Sequence, residues 1–503
     1  MAKFLWLVLV AIGVVHAAEP KARVVVLVID GLRPDMIRPD IMPNLTKLKA
    51  EGAWCANSHS VFPTVTRVNS ASISTGSWPS IHGIVSNSMW VDAVSPRPFD
   101  TADYKNLLKL AEVSGGRAIP VPTLAETLDK AGIRFGVVSS GSNGSAYLLN
   151  PSVTNGVGFL VSPKLDGRIA YPDAMNQELQ QRFGSQKVEA GVPSLLWVEK
   201  ILREYVLPEA KPGVLIDWMT EPDDTQHRYG VGSPEALAAL KADDEQIGLL
   251  IPMLRAGNIN LIVTADHGFA AEPDSIDLNG ALAAAGVDKD VIVASNGSSA
   301  LIYAKNHDAA VVQKTVEVLQ KTDGVDVLFT SAAKPASGAV RCADGKEQGW
   351  VAGTFALELI HECRAERGAD VIVTFQWSSE KNEFGFPGIQ KIANNDKRTG
   401  VKGRSGHGGL NPWMVHTPLL FWGPAFRKKI EIQTPTANYD IAPTILALEG
   451  ITPPASMRGR NIGEASGGAT PATKSRTVRA QSGSFCSELQ LTGSYVDQGQ
   501  RCK

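Results

Sequence analysis

Residues 23–31 read RVVVLVIDG, a run of aliphatic side chains from Val24 to Ile29 that leads directly into Asp30 and Gly31. A continuous apolar run of this kind is expected of a strand buried on both faces, as in a parallel sheet, whereas a half-exposed strand alternates. The design recurs twice. VLIDWMTEPDDTQH, residues 214–227, leads to Asp223 and His227, and LIVTADHG, residues 261–268, leads to Asp266 and His267. Each acid or imidazole is thus expected at the carboxyl end of a strand, the edge where open α/β sheets build their sites. Carboxylates and imidazoles gathered on one edge point to a metal centre.

The sequence around these runs alternates strand and helix patterns. A helix is expected from Pro43 to Gly52, a second just after Pro63-Thr64 as far as Gly76, and a third from Thr123 to Ala131 before the strand FGVVS. Ser233-Pro234-Glu235 supplies an N-cap, a first-turn proline and an acidic first turn for a long helix ending near Leu254, kinked at Pro252. Repeated strand–helix–strand spacing predicts an α/β fold, a doubly wound, mostly parallel sheet flanked by helices. Between residues 291 and 399 the pattern changes to an expected α+β insertion or cap, with strands SSALIYA, VDVLFT and DVIVTFQW and a helix from Ala309 to Lys321. Core-like sequence returns in PLLFWG and YDIAPTILALEG. The expected catalytic unit is therefore 19–290 with 400–462. Residues 463–503 form a tail in which 464–480, rich in Gly, Ala, Thr and Ser, read as a flexible linker before a Cys-bracketed end.

With 503 residues, 44% hydrophobic content and a formal charge of −2, the chain is an ordinary globular protein lacking the basic excess of a nucleic-acid-coating surface. No nucleic-acid polymer is expected as a partner. Residues 1–18 place Lys3 ahead of an apolar run from Phe4 to Val15 and small residues at Ala17 and Ala18, the pattern of an export signal. No later stretch has the length and apolarity of a membrane helix, so an extracytoplasmic mature protein, periplasmic or secreted, is expected. Five cysteines suit that compartment, with Cys342 near Cys363, Cys486 near Cys502, and Cys55 left as a buried inert thiol. Oligomeric state is not legible.

Asp223 and His227 lie four residues apart, as ligands on one helical turn do. Asp266 and His267 are adjacent and would face opposite sides of a strand; at a bend before Gly268 both can turn to one site. His407 sits in GRSGHGGL, whose glycines permit unusual backbone angles and close approach to a ligand. Together Asp30, Asp223, Asp266, His227, His267 and His407 give six nitrogen and oxygen donors. Three per ion suits two divalent metal ions, zinc best, with ligand types that also admit manganese or iron. The remaining histidines, including His82 and His416, read as surface or hydrogen-bonded core residues. A nucleophile is expected in SVFPTVTRVNSASISTGSWPSIHGIVSN, where a Thr at a helix start presents its hydroxyl beside N–H groups suited to phosphate. Thr64 or Thr66 could equally be the helix N-cap.

The order and spacing of these segments resemble the nucleotide pyrophosphatase/phosphodiesterase family of the alkaline-phosphatase superfamily. IDGLRP is similar to its first metal motif, PTVTRVN to its nucleophile segment, TGSWPSIHGIVSN to the stretch that follows, and EPDDTQH, ADHG and GRSGHGG to its later metal motifs. The resemblance covers most of 22–290 and 400–462. It implies an alkaline-phosphatase-like fold, Thr66 as the nucleophile and a metal ligand beside the ion held by Asp30, Asp266 and His267, and a second ion on Asp223, His227 and His407. It also implies that Asn87 hydrogen-bonds a phosphoryl oxygen. The implied reaction is hydrolysis of a small phosphate diester through a covalent phosphothreonine.

Two departures bear on substrate. Where nucleotide-cleaving members of the family place an aromatic ring after the nucleophile, this chain has Arg67, which can stack on or pair with a charged group but forms no hydrophobic slot. Related threonine-dependent monoesterases carry a Lys and an Arg after the strand corresponding to FGVVS; here SGSNGSAYLLN has neither, which favours diesters. Arg67 could supply that charge and keeps a monoesterase reading open. A sulfatase lacks its C/S-x-P-x-R context here, and a non-catalytic metal-containing binding module is disfavoured by the complete set of ligands plus the Thr.

Overall fold

The computed structural model describes residues 20–184, 189–336, 338–393 and 404–502. The expected signal at 1–18 lies outside them, as does Gly403 of the last motif.

The central sheet has nine strands: β1 (Val24–Ile29), β2 (Ala53–Cys55), β3 (Phe135–Ser139), β4 (Phe159–Leu165), β5 (Arg168–Tyr171), β6 (Val214–Met219), β7 (Asn260–Thr264), β8 (Leu419–Trp422) and β9 (Ile430–Ile432). Their spatial order is β9-β2-β8-β7-β1-β6-β3-β4-β5. From β7 to β4 the strands run parallel, and β8 pairs antiparallel with both β7 and β2. The aliphatic run that opened the sequence lies at the centre, with Val26 opposite Ile262 on one side and Ile216 on the other. Its side chains divide by pleat: Val25, Leu27 and Ile29 enter one core, Val24, Val26 and Val28 the other. Burial on both faces is why the run does not alternate.

Three helices matter for the site: α1 (Thr66–Thr75), α2 (Asp223–Tyr229) and α3 (Pro234–Ala256). The Ser233 hydroxyl caps α3 by accepting from Ala236 N, and α3 continues through Pro252.

The segment after β7 contributes two further sheets. One has five strands in the order Val291–Ser295, Ser299–Ala304, Val371–Phe375, Val325–Thr330, Phe355–Ala356, with the helix Ala309–Leu319 packed on it. The other joins Trp377–Lys381, Pro387–Ala393, Ala270–Ile276 and Ser405–Gly406. Because Ala270–Ile276 pairs in parallel with Pro387–Ala393, a cut at residue 290 separates strands of one sheet.

The linker reading of 464–480 needs correction. Ser475–Ser482 is the first strand of a three-stranded antiparallel sheet with Phe485–Thr492 and Tyr495–Arg501. Val478, Ala480, Leu489 and Leu491 of this sheet share a core with Val327, Phe329 and Ile372. Disulfides Cys342–Cys363 and Cys486–Cys502 join the neighbouring pairs, and Cys55 is free and buried, its thiol pushed up to about 12 by burial.

Candidate active site

Strand ends deliver the site. Asp30 is the residue after β1, Asp266 and His267 lie at a bend beyond β7, and Asp223 opens α2 just after β6, with His227 one turn further. His407 follows Ser405–Gly406, whose antiparallel pairing with Ala270–Ile276 brings it back beside His267. Two glycines are sterically required. Gly31 has φ +76°, and a Cβ there would sit 2.6 Å from the Phe269 ring; Gly408 has φ +111°, and a Cβ would sit 2.2 Å from the Asn296 carbonyl oxygen.

Each of the three histidines turns its Nδ1 to a main-chain carbonyl: His267 to Gly268 at 3.2 Å, His227 to Ser405 at 3.1 Å, His407 to Thr64 at 2.9 Å. A carbonyl only accepts, so each Nδ1 carries a proton and each Nε2 is the nitrogen turned toward the site. Those Nε2 atoms converge on the carboxylates. His267 Nε2 is 3.2 Å from Asp266 Oδ2 and 3.6 Å from Asp30 Oδ1. Asp223 Oδ1 is 3.4 Å from His227 Nε2, 3.5 Å from His407 Nε2 and 4.0 Å from His267 Nε2. The rings of His267 and His407 stack at 3.6 Å, and Phe269 lies against the His227, His267 and His407 rings.

The carboxylates are oriented from behind. Trp218 Nε1 donates to Asp30 Oδ2 at 2.9 Å; Gly31 N and His267 N donate to Asp266 Oδ1 at 3.1 and 2.9 Å. Asp30 Oδ1 and Asp266 Oδ2 are buried with no hydrogen-bond donor among the described residues. Burial raises the Asp30 carboxyl well above the ordinary range and the Asp266 charge raises it further; burial and the Asp223 charge raise Asp266. Burial pushes the His267 imidazole down to about 3, so it stays neutral. Buried carboxylate oxygens without donors beside a neutral imidazole fit a cation, and two groups have potential ligand atoms within 4.8 Å of one another: Asp30 with Asp266 and His267, and Asp223 with His267 and His407. His267 belongs to both, so the two groups adjoin.

Thr66 is the first residue of α1, and its hydroxyl donates to His267 Nε2 at 3.2 Å. The N-cap is Val65, with no side-chain cap, so the capping alternative does not account for Thr66. Thr64 instead binds the Gly409 carbonyl and the Gly408 N–H. Asn87 Oδ1 accepts from Arg67 N at 2.9 Å. Arg67 reaches Asp100 at 3.5 Å, and its Nε has no hydrogen-bond partner among the described residues. Thr66, Arg67, Asn87, Asp223, His227 and His407 line one open cleft of about 1310 Å³; its further wall includes Asn279, Leu282 and Val293.

Sequence reasoning missed the supporting residues. Trp218 is one, and Asn438 and Ser60, which donate to the Asp266 carbonyl at 3.0 and 2.6 Å, are others. A tryptophan inside a fully buried strand was the available signal, since its indole N–H needs a partner when buried.

A model of the type I phosphodiesterase / nucleotide pyrophosphatase family matches residues 24–339. Venom phosphodiesterase 2 of Crotalus adamanteus is 28% identical over 246 residues, which are 48% of this chain and 26% of that protein. Ectonucleotide pyrophosphatase/phosphodiesterase family member 1 of Homo sapiens is 27% identical over 248 residues, 48% of this chain and 23% of that protein. The chain thus spans about a quarter of the length of the curated relatives it matches. Among solved structures, human ectonucleotide pyrophosphatase / phosphodiesterase 5 superposes with a TM-score of 0.59 at 19% identity, covering 89% of this chain and 100% of that one. An inactive form of the murine protein in complex with AMP gives 0.59 at 18% identity, over 88% and 98%. The likeness fixes the fold as that of these proteins, and the matched segment carries β1, α1, β6 and β7 with five of the six converging acids and imidazoles and Thr66. By that match the chain belongs to the type I phosphodiesterase/nucleotide pyrophosphatase family.

Proposed function

We propose that this protein is an exported, metal-dependent phosphodiesterase that hydrolyses small phosphate diesters through a phosphothreonine on Thr66. The observation that carries this reading is the Thr66 hydroxyl, 3.2 Å from His267 Nε2, at a helix N-terminus that opens onto the cleft. Asp30, Asp266 and His267 would hold one divalent ion and Asp223, His227 and His407 the other, zinc by donor type. When bound, the ions supply Lewis-acid charge that lowers the pKa of the Thr66 hydroxyl and neutralises charge building on the phosphoryl oxygens.

The chain's own groups do the rest. Thr66 Oγ1 attacks phosphorus in line, the P–O bond to the leaving alcohol breaks on the opposite side, and the phosphoryl group rests on Thr66. Water then attacks from the vacated side and restores the hydroxyl. Asn87 has its Oδ1 engaged by Arg67 N–H, so its amide N–H₂ is the donor left for a non-bridging oxygen. The α1 N-terminus adds favourable dipole charge there.

A second reading, a phosphate monoesterase, rests on Arg67, whose side chain is 16% exposed beside Thr66 and makes one long ion pair with Asp100. Hydrolysis of bis-p-nitrophenyl phosphate against p-nitrophenyl phosphate, with zinc supplied, separates the two. Thr66→Ala should abolish either activity; unchanged turnover in that variant overturns the catalytic assignment.

A further inference from the structure

Away from the cleft, three potential ligands from distant parts of the chain meet where the C-terminal sheet rests on the main body. His59 ends the short strand Ser58–His59, His416 follows the helix Pro412–Val415, and Asp497 lies in Tyr495–Arg501. One ligand atom from each lies within 4.8 Å of the others. His59 and His416 face each other through an antiparallel β-bridge, with ring centroids 4.9 Å apart.

His59 Nδ1 is 2.9 Å from the Thr436 carbonyl, which only accepts, so Nδ1 carries a hydrogen. Its Nε2 faces Asp497 Oδ1 at 2.9 Å. A neutral His59 would therefore set a lone pair against a carboxylate oxygen, a contact that needs a positive charge between or upon the partners. The His416 ring lies beside His59, and one of its nitrogens is within 4.8 Å of the ligand atoms of His59 and Asp497. Asp497 is fixed from its far side by the Thr492 hydroxyl at 2.8 Å, and Tyr495 stacks on His59 at 5.4 Å. His59, anchored through one nitrogen to a main-chain carbonyl with the other turned to the shared point, is held in the way metal-ligating imidazoles usually are. The same device orients His227, His267 and His407 in the cleft.

We infer that His59, His416 and Asp497 form a further divalent-metal site, taking a zinc-type ion through two imidazoles and one carboxylate. The Asp497 side chain is 19% exposed, which leaves room for ion entry and for water to complete the coordination. The site would tie Tyr495–Arg501 to the body of the protein. It is independent of the catalytic reading, since none of its residues lines the cleft.

The test is zinc content of the full chain, measured by elemental analysis after saturation with zinc and removal of excess, for wild type, His416→Ala and Asp497→Asn. One ion fewer per chain in each variant, with diester turnover retained, is the expected result. Cobalt substitution should likewise show an absorption component lost in both variants. Equal metal content in wild type and Asp497→Asn overturns the site and leaves an imidazolium–carboxylate ion pair in its place. If His416→Ala does not fold, Asp497→Asn, which keeps the side-chain shape, decides alone. Loss of all turnover with unchanged zinc loading in Thr66→Ala concerns the catalytic reading only.

Discussion

Trp218 donates its indole N–H to Asp30 Oδ2 at 2.9 Å across the neighbouring strands β6 and β1. Both groups are buried, so this bond fixes which carboxylate oxygen faces His267. Trp218→Phe should weaken metal binding by about 10–100-fold, the usual effect of removing a group that orients a ligand from behind. A zinc-concentration profile of turnover checks this: the half-saturating zinc rises while turnover at saturating zinc is largely kept.

Arg67 should set the balance between substrates. Removing a charged hydrogen-bonding group costs about 1.5–3 kcal/mol, or roughly ten- to a hundred-fold in rate, when it contacts substrate. Arg67→Ala is expected to lower kcat/KM for a phosphate monoester by about that factor and for a diester by much less. Arg67→Phe should share the monoester loss and gain on nucleotide diesters. Parallel kinetics on the two substrate classes provide the measurement.

Asp326 governs part of the pH dependence of stability. Burial pushes its carboxyl up to about 8, against the opposing Arg501 main-chain hydrogen bond and Arg501 charge. Between the ordinary carboxylate range and about 8 the folded chain holds a proton that the unfolded chain has released. Its stabilising contribution is therefore full in acid and is lost as pH rises through that window, by at most about 1.4 kcal/mol for each step of one in pH. Asp326→Asn should match wild type near pH 4 and exceed it in Tm at pH 9, as thermal melts across that range will record.

The C-terminal sheet should behave as core. Leu489 is fully buried against the five-stranded sheet, so Leu489→Ala should cost about 2–5 kcal/mol in chemical denaturation. A solvated tail would show no change.

The central sheet and the convergence of six acids and imidazoles were legible because each lies in a short local pattern, an aliphatic run ending in an acid or imidazole or a glycine-flanked histidine. Supporting contacts were not. Trp218 is 188 positions from Asp30, and Asn438 is 172 from Asp266, distances that sequence spacing does not span. The strand Ser475–Ser482 was hidden for a different reason. SRTVRAQS buries only Val478 and Ala480, and its other residues are polar, so its composition is that of a linker. Partnership with Phe485–Thr492, rather than its own propensity, makes it a strand.

The pairing of Ala270 with Gly406 and Ala271 with Ser405 closes the base of everything between them. His267 and His407 sit just outside that closure, so their separation is set by two rungs of a ladder, whatever the intervening chain does at its far end. Exchange of the outlying strands would therefore reshape the surroundings of the cleft while the centre keeps its dimensions. Insertion at the base itself would part the two histidines at once.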